Sequence, residues 1–429
     1  MASNTNSGLR NQTIYSVYVR NHTEQGDFKG VVSDLDRIKN LGIDIIWLMP
    51  IHPIGQYNKK GKLGCPYSIS NYREINPEYG TLKDFQQLIY EIHKRKMKLM
   101  IDVVYNHTSY KSYLQSRHPE FFYKNSENAY GNKYGNWSDV IDLDYGNRDL
   151  WDYQVETLEY WASMGVDGYR CDVASIVPIE FWKFARERVN RINKDFIWLA
   201  ESVGSDMVFD ARNAGFLAHS DGELYEAFDI TYDYDTYRYY TNYLNGKSDL
   251  EKWLEAKRAQ EWIYPVNYLK LRFLENHDQP RAHYVFSNID KLKIWTAFMF
   301  FEKGVALLYA GQEVLNKHTP SLFDIDKVDW IKENVDFSNY VKKLIKFKKE
   351  DFFKEGNYMI MESKKKGIIE ARYEYKDKVV VGIFNVEDKI GEYEIEMPDG
   401  IYKNIINHKE VKIQNGRTKL EKEAVIFIR

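Results

Sequence analysis

The chain has 429 residues, of which 44% are hydrophobic and 29% are charged, and its formal net charge is −3. Such a length allows a large buried core, and this composition excludes a disordered chain. The near-neutral charge provides no basic surface for nucleic acid, and no apolar run approaches the length of a membrane span. We therefore expect one large globular domain with small additions, and neither nucleic acid nor a membrane as a partner.

The cysteines and the first residues bear on location. Only Cys65 and Cys171 are present, which fits a reducing compartment. Segment 1–12 is polar and lacks the basic-then-apolar order of a signal peptide. We expect a soluble cytoplasmic protein, although a secreted enzyme without its leader would look the same. The oligomeric state is left open.

Apolar runs and helical patterns alternate along most of the chain. Runs without internal alternation predict buried strands at 14–19, 44–50, 98–104, 166–171, 196–200, 228–232, 268–274 and 305–309. Periodic patterns predict helices at 31–41, 82–96, 150–163, 179–193, 250–261 and 289–301. Buried strands separated by helices are typical of a parallel sheet covered on both faces.

Eight strand–helix units favour an α/β fold of the (β/α)8 TIM-barrel type over an open doubly wound sheet. No nucleotide-binding glycine motif follows the first strand, as such a sheet would lead us to expect. A long polar and aromatic stretch without clear period predicts an inserted domain after the third strand. Short β-prone segments near the C-terminus predict an antiparallel β-domain. The predicted organisation is a barrel over 1–107 and 140–354, inserted domain B over 108–139, and a C-terminal β-sandwich-like domain over 355–429.

Polar residues lie at or just after the C-terminal ends of several predicted strands, where barrel enzymes carry their working residues. They are Asp102, Asn106 and His107, then Arg170 and Asp172, then Glu201, and finally Asn276, His277 and Asp278. One such residue alone is better explained by a capped loop or a salt bridge, but the whole set predicts a site. Carboxylates, histidines and an arginine, without a nucleotide or metal–sulfur motif, favour glycosidic bond cleavage. That reaction needs one carboxylate to attack the anomeric carbon and another to protonate the leaving oxygen.

With these motifs the chain resembles the α-amylase family of glycoside hydrolases, family 13. The resemblance lies in blocks 102–107 (DVVYNH), 168–172 (GYRCD), Glu201, and 276–278 (NHD), supported by Tyr67, 75–81 (INPEYGT) and 141–144 (IDLD). It implies that Asp172 is the nucleophile and Glu201 the general acid and base. It also implies that Asp278 binds sugar hydroxyls more tightly in the transition state.

The resemblance implies four further substrate-binding residues: Tyr67, His107, Arg170 and His277. Arg170 would keep Asp172 ionised and aimed, because an adjacent cation lowers a carboxylate pKa. The two histidines would hydrogen-bond the sugar, and Tyr67 would stack beneath it. Asp102, an acid buried within its strand, is better explained as an ion-pair partner of Arg170 than as a catalyst.

The chemistry implied by the resemblance requires no cofactor. Asn106 and Asp142 match family positions that often hold calcium between the barrel and the inserted segment. Relatives without calcium carry the same residue types, and two oxygen donors fall short of a full calcium shell. Calcium is therefore an open expectation for this pair.

The expected activity is retaining hydrolysis of α-1,4-glucosidic bonds in starch-derived α-glucans or maltooligosaccharides, through a covalent glycosyl-enzyme. Ser175 and Ile176 replace the Lys-His pair found after the nucleophile in many starch-degrading members, so the choice between polymer and oligomer stays open. One alternative is a 4-α-glucanotransferase or an α-glucosidase or cyclomaltodextrinase-type enzyme. Another is a binding protein without catalysis, against which the intact acidic residues argue.

Overall fold

The computed structural model describes residues 5–135, 137–330 and 335–429, so the first four residues of segment 1–12 lie outside the described part. Eight strands form a closed parallel barrel, which confirms the predicted fold class. In chain order they are β1 Thr13–Val17, β2 Ile45–Leu48, β3 Lys98–Val103, β4 Gly168–Cys171, β5 Ile197–Ala200, β6 Ile230–Tyr232, β7 Lys270–Arg272 and β8 Val305–Tyr309. Each overlaps a predicted strand, and β8 matches its prediction at both ends.

The barrel strands are buried along their length, which explains why their sequences are continuous apolar runs. Every residue of β1, β2, β4 and β5 is buried. Parallel strands with both faces covered have no solvent side to alternate with. The register between β3 and β4 pairs Asp102 with Arg170, so a carboxylate and a guanidinium lie side by side on neighbouring strands.

Helices alternate with the strands. Among the described residues the α-helices are Val19–His22, Phe28–Leu41, Leu82–Lys94, Tyr113–Arg117, Arg148–Ser163, Ile179–Asn190, Ser205–Asn213, Asp221–Leu224, Tyr234–Leu244, Leu250–Ile263, Ala282–Val285, Ile289–Phe301, Val335–Lys348 and Asp351–Glu355. Local signals fix several ends. Thr81 and Asp84 form a capping box before Leu82–Lys94, and Gly42, at φ 100°, ends Phe28–Leu41. No described helix is long and apolar enough to cross a membrane.

The inserted segment is framed by a short antiparallel sheet, which the sequence did not predict. His107–Ser109 pairs with Val140–Asp142, and the register places His107 opposite Asp142. Helix Tyr113–Arg117 and a 3-10 turn at Pro119–Phe121 lie between these strands. The boundaries 108 and 139 themselves stay predictions.

The chain forms two compact units. The first contains residues 14–235 and 320–329, and the second contains 6–13 and 236–319 together with the C-terminal sheets. One C-terminal sheet joins Asn357–Ile360, Ile368–Tyr375, Lys378–Asn385 and Val425–Ile428, and the other joins Glu392–Glu394, Arg417–Lys419, Glu410–Gln414 and Gly400–Lys403. All their strand pairs are antiparallel, as predicted, around an apolar core that includes Val381, Tyr393 and Phe427.

Candidate active site

Strand β4 lies in the first unit and contains Arg170, and Asp172 follows the strand directly. Gly168 begins the strand, and a Cβ there would come within 2.8 Å of the Ile197 carbonyl oxygen. Glycine therefore allows β4 and β5 to pack closely. Arg170 and Asp172 lie on the same side, as the two-residue period of a strand predicts, and Cys171 is buried.

Arg170 gathers three carboxylates around one buried guanidinium. Its Nη1 lies 2.9 Å from Asp102 Oδ1 and 2.8 Å from Asp172 Oδ1. Its Nη2 lies 2.8 Å from Glu201 Oε1, and its Nε donates a hydrogen bond of 3.2 Å to Tyr232 Oη. The arginine side chain is 0% exposed, so these contacts act in a low-dielectric interior. The pairing of Asp102 with Arg170 confirms the role predicted for Asp102.

Asp102 is the most deeply buried of the three acids. Its Oδ2 accepts hydrogen bonds from Trp47 Nε1 at 3.2 Å and from Tyr67 Oη at 3.0 Å. Burial raises the pKa of Asp102 to about 6; the charge of Glu201 adds to this effect, and the Arg170 guanidinium opposes it. One cation facing three acids is too little charge to keep every acid at its ordinary pKa. Asp102 therefore takes up a proton near pH 6, well above the range of an ordinary carboxyl group, and is mostly ionised at neutral pH.

The turn after Asp172 holds Glu201. Val173 donates its backbone N–H to Glu201 Oε2 at 2.8 Å, and Ala174 donates its N–H to the Glu201 carbonyl at 3.0 Å. Val173 has φ 37° and ψ 44°, a left-handed conformation that is strained for a β-branched residue. With Arg170 on Oε1, both carboxylate oxygens of Glu201 are anchored. The left-handed turn at Val173 directs its N–H at Glu201, and together with Arg170 this hydrogen bond fixes the orientation of the Glu201 carboxylate.

His107 lies on the other side of Asp172. The distance from His107 Nε2 to Asp172 Oδ2 is 4.0 Å, and the His107 ring lies 5.6 Å from the Trp137 ring. Burial lowers the pKa of His107, so the imidazole is neutral at neutral pH and can exchange hydrogen bonds with a ligand. Trp137 adds an aromatic face from the inserted segment beside these polar groups.

The remaining predicted residues belong to the second unit, directly after β7. Asp278 donates its N–H to Asn276 Oδ1 at 2.9 Å, and its Oδ2 lies 3.2 Å from His277 Nε2. The Asp278 side chain is 42% exposed, so its carboxylate is accessible to a ligand. In contrast, Glu275 is buried and accepts from Arg281 at 2.6 Å, and burial raises the pKa of Glu275. Glu275 is therefore structural.

Of the two expected calcium ligands, Asn106 has a buried Oδ1 without a hydrogen-bond partner among the described residues, whereas both carboxylate oxygens of Asp142 already accept N–H groups. Asp142 Oδ1 accepts hydrogen bonds from Asn106 Nδ2 at 3.3 Å and from Asn132 Nδ2 at 3.1 Å. Its Oδ2 accepts the backbone N–H of Lys133 at 2.7 Å. Calcium takes six to eight oxygen ligands, but here N–H groups surround the carboxylate. Within the described ranges there is no cluster of three or more acidic, histidine or cysteine side chains that could hold a metal.

The structure brings together five of the predicted residues in the first unit: Tyr67, His107, Arg170, Asp172 and Glu201. Four contributors were not predicted from the sequence: Trp47, Trp137, Val173 and Tyr232. Trp47 and Tyr232 end or nearly end their strands, so the strand-end rule applied to aromatic residues could have found them. Val173 acts through its backbone N–H, for which no side-chain pattern gives a signal.

Comparisons with known proteins extend these observations. A family profile described as "Alpha amylase, catalytic domain" matches residues 11–378, and "Bacterial Alpha amylase C-terminal domain" matches residues 360–427. A crystal structure of an α-amylase from Lactobacillus plantarum is 41% identical, with a TM-score of 0.95, and covers 99% of this chain and 100% of that one. The noncanonic maltogenic α-amylase AmyB from Thermotoga neapolitana is 31% identical, with a TM-score of 0.88, over 98% of this chain and 99% of its own.

A curated relative, "Alpha-amylase 3" of Dictyoglomus thermophilum, is 28% identical over 347 residues. The match covers 71% of this chain but only 64% of that relative. The chain thus spans just under two thirds of this relative and the full length of the Lactobacillus structure.

Proposed function

Because the chain belongs to the α-amylase family of glycoside hydrolases, we propose that it cleaves α-1,4-glucosidic bonds of starch-derived α-glucans or maltooligosaccharides with retention of configuration. The observation that carries the proposal is the pair Asp172 and Glu201, each 2.8 Å from a different nitrogen of Arg170. Two anchored carboxylates with different further contacts can divide the roles of nucleophile and proton donor. The names of the Lactobacillus and Thermotoga relatives support the substrate class.

In the first step Asp172 attacks the anomeric carbon while Glu201 donates a proton to the glycosidic oxygen. We assign the attack to Asp172 Oδ2, on the side of His107, because Oδ1 is bound to Arg170. The bond from the anomeric carbon to the leaving oxygen breaks as the bond to Asp172 forms. The leaving sugar departs with the proton from Glu201, and an ester at Asp172 remains.

The ester changes the charge around Arg170. Asp172 no longer carries a negative charge, so the guanidinium acts more strongly on Glu201, and this lowers the tendency of Glu201 to hold a proton. Glu201 is then suited to remove a proton from water, whose oxygen attacks the anomeric carbon and breaks the ester. The product leaves as the α-anomer, and Glu201 regains its proton.

As the resemblance implies, Asp278 and His277 in the second unit are proposed as groups that bind sugar hydroxyls. The exposed carboxylate of Asp278 can accept two sugar hydroxyls, and its neighbour His277 orients it. Such bonds strengthen as positive charge develops on the sugar ring. In the first unit, Tyr67 is fixed by its hydrogen bond to Asp102 and is proposed to pack against the sugar that Asp172 attacks.

The decisive experiment traps the intermediate. Incubation with a fluorinated glucosyl fluoride should leave a glycosyl adduct on the peptide that contains Asp172, detected by mass spectrometry, and Asp172→Asn should lose both the adduct and turnover. The matched control is Asp152→Asn, an exposed helical acid, which should retain activity. NMR of the first product should show the α-anomer. An adduct on another acid, or an initial β-anomer, would overturn the assignment.

Positions 175 and 176 favour a second candidate, 4-α-glucan transfer. Ser175 is fully buried and accepts the Val203 N–H at 3.1 Å, and Ile176 packs in an apolar cluster with Val208 and Ala211. Val173 lines this cluster, so the side next to Glu201 is apolar. An apolar surface there favours a sugar ring over water as the acceptor. Early products longer than maltotriose, made from maltotriose, would indicate transfer, and only shorter ones would indicate hydrolysis.

The location of the enzyme is also a proposal. Both cysteines are unpaired, which supports a reducing compartment such as the cytoplasm. Fractionation of cells that express the full-length gene tests this, and recovery of the enzyme only from the medium would contradict it.

A further inference from the structure

His219 caps a helix that follows the nucleophile in the sequence. Helix Ile179–Asn190 begins after Pro178, whose side chain has no atom that can accept a hydrogen bond. The first N–H groups of a helix have no partner inside that helix. Here Ile179 donates its N–H to His219 Nε2 at 3.1 Å, so a distant side chain takes the place of a local cap.

The same histidine holds the turn that precedes this helix. His219 donates its backbone N–H to the Ser175 carbonyl at 2.7 Å. Its side chain is buried, and burial lowers the pKa of His219, so the imidazole is neutral at neutral pH. With Nε2 as the acceptor, the ring proton sits on Nδ1. His219 therefore binds both the turn and the helix, through its backbone and through its ring.

The segment around His219 is itself held in place. Arg212 donates from Nε to the Ala218 carbonyl at 2.8 Å, and Ser220 forms a capping box with Glu223. The residues on both sides of His219 are therefore anchored within the first unit. A side chain can orient its neighbours only if its own backbone is fixed, and His219 meets this condition.

Three consecutive residues link His219 to Glu201. Val173 donates its N–H to Glu201 Oε2 at 2.8 Å, and Ala174 donates its N–H to the Glu201 carbonyl at 3.0 Å. The next residue, Ser175, is the one whose carbonyl accepts from His219. One side of this turn therefore contacts the second carboxylate, and the other side is bound by His219.

We propose that His219 is a positioning residue for proton donation: its bonds to Ser175 and Ile179 hold the turn that orients the Glu201 carboxylate. This inference rests on the proposed function, in which Glu201 protonates the leaving oxygen. It predicts a defect in the protonation of the leaving group that is separate from any loss of stability.

Two amide variants separate the ring nitrogens of His219. His219→Gln places an amide oxygen near the position of Nε2, where it can accept the Ile179 N–H. The side chain of His219→Asn is one methylene shorter, so its oxygen falls short of that N–H. Both variants keep the backbone bond to Ser175 and a polar side chain. The comparison between them therefore isolates the bond to Ile179.

The test compares two leaving groups. Cleavage of maltotriose needs a proton on the leaving oxygen, whereas α-maltosyl fluoride releases fluoride with little help from an acid. We expect His219→Asn to lower kcat/KM about 30-fold on maltotriose but less than about threefold on α-maltosyl fluoride, since a general acid contributes a factor of about 10²–10⁴. His219→Gln should recover most of the activity on maltotriose. Equal losses on the two substrates, or equal behaviour of the two amide variants, would overturn the proposal.

The matched control is His118→Asn. The Nδ1 of His118 also has a hydrogen-bonding partner, Glu120 at 3.1 Å, but these residues lie in the inserted segment. This variant should leave both rates unchanged. If the unaltered chain cleaves neither substrate, the proposed function fails. If it cleaves both and the His219 variants show no difference between leaving groups, only the positioning role fails.

Hydrogen exchange followed by mass spectrometry tests the structural link without using activity. Peptides that cover 173–179 should exchange faster in His219→Asn than in His219→Gln, because the loss of one hydrogen bond opens the turn. Unchanged exchange in His219→Asn would contradict the proposal. If His219→Asn does not fold, His219→Leu, which also lacks an acceptor, takes its place in both comparisons with His219→Gln. A folded His219→Gln that loses activity on maltotriose alone would also refute the assigned role of the Nε2 acceptor.

Discussion

Replacing Asp102 with asparagine tests how the buried cluster holds its charge. The substitution keeps the shape of the side chain and removes its titration. The asparagine oxygen can still accept from Arg170 Nη1, which lies 2.9 Å from Asp102 Oδ1. The new NH₂ group would face Trp47 Nε1, a donor that now bonds Asp102 Oδ2, so one hydrogen bond is lost at every pH. The informative quantity is therefore the difference in the free energy of unfolding between the unaltered chain and Asp102→Asn, followed as a function of pH.

The size of that change follows from the pKa of Asp102. Burial raises it to about 6 in the folded protein from an ordinary value of 3.8. Below the lower value the group is protonated in both states, and its full contribution to stability is present. As pH rises through the folded pKa the buried group must ionise, and that contribution is lost. The difference between the ordinary and the folded pKa values corresponds to a loss of about 3 kcal/mol in the free energy of unfolding.

Urea unfolding at a series of pH values measures this effect. The free energy of unfolding of the unaltered chain, minus that of Asp102→Asn, should fall by about 3 kcal/mol between about pH 4 and about pH 7. The control is Asp229→Asn, since Asp229 is also buried and its Oδ1 lies 2.6 Å from Arg186 Nη2. A constant difference, or one that rises with pH, would show that Arg170 keeps Asp102 ionised, and the reasoning would fail.

Three further changes test other parts of the site. Arg170→Lys should lower the free energy of unfolding by about 3 kcal/mol and kcat/KM by orders of magnitude, because an ammonium lacks the two-pronged guanidinium that reaches three acids. Urea unfolding measures the first effect, and kinetics on maltotriose measure the second. Val173→Gly should be more stable than Val173→Ala by about 1 kcal/mol in urea unfolding, since φ is 37°. Asp278→Asn should lower kcat/KM about 100-fold without moving the thermal midpoint, and an equal loss of stability would indicate a structural role.

Much of the fold could be predicted because barrel strands that are buried on both faces have continuous apolar sequences. Strands β4 and β8 have no exposed side, and β4 is followed directly by Asp172. The position of Arg170 and Asp172 on one side follows from the period of a strand alone. Site residues at strand ends were therefore predictable from local sequence.

The rest depends on contacts that local sequence does not encode. The strand His107–Ser109 has only three residues, and its partner begins 31 positions later, at Val140. Val173 acts through a backbone amide whose direction is set by a left-handed turn. Lys133 lies in a polar stretch, where a lysine ordinarily signals solvent, and only the fold brings it to Asp142. Such features require the tertiary structure.

The shortage of positive charge around Arg170 has a direct consequence for catalysis. Three carboxylates share one guanidinium, so the cluster carries excess negative potential where the sugar ring would gain positive charge. Burial, to which the charge of Glu201 adds, raises the pKa of Asp102 and so the cost of ionising it in the folded protein. Removing that charge should therefore cost less stability at neutral pH than at about pH 4, while it weakens stabilisation of the transition state. If Asp102→Asn kept full kcat/KM, the excess charge would have no catalytic role, and Asp102 would serve only to position Arg170.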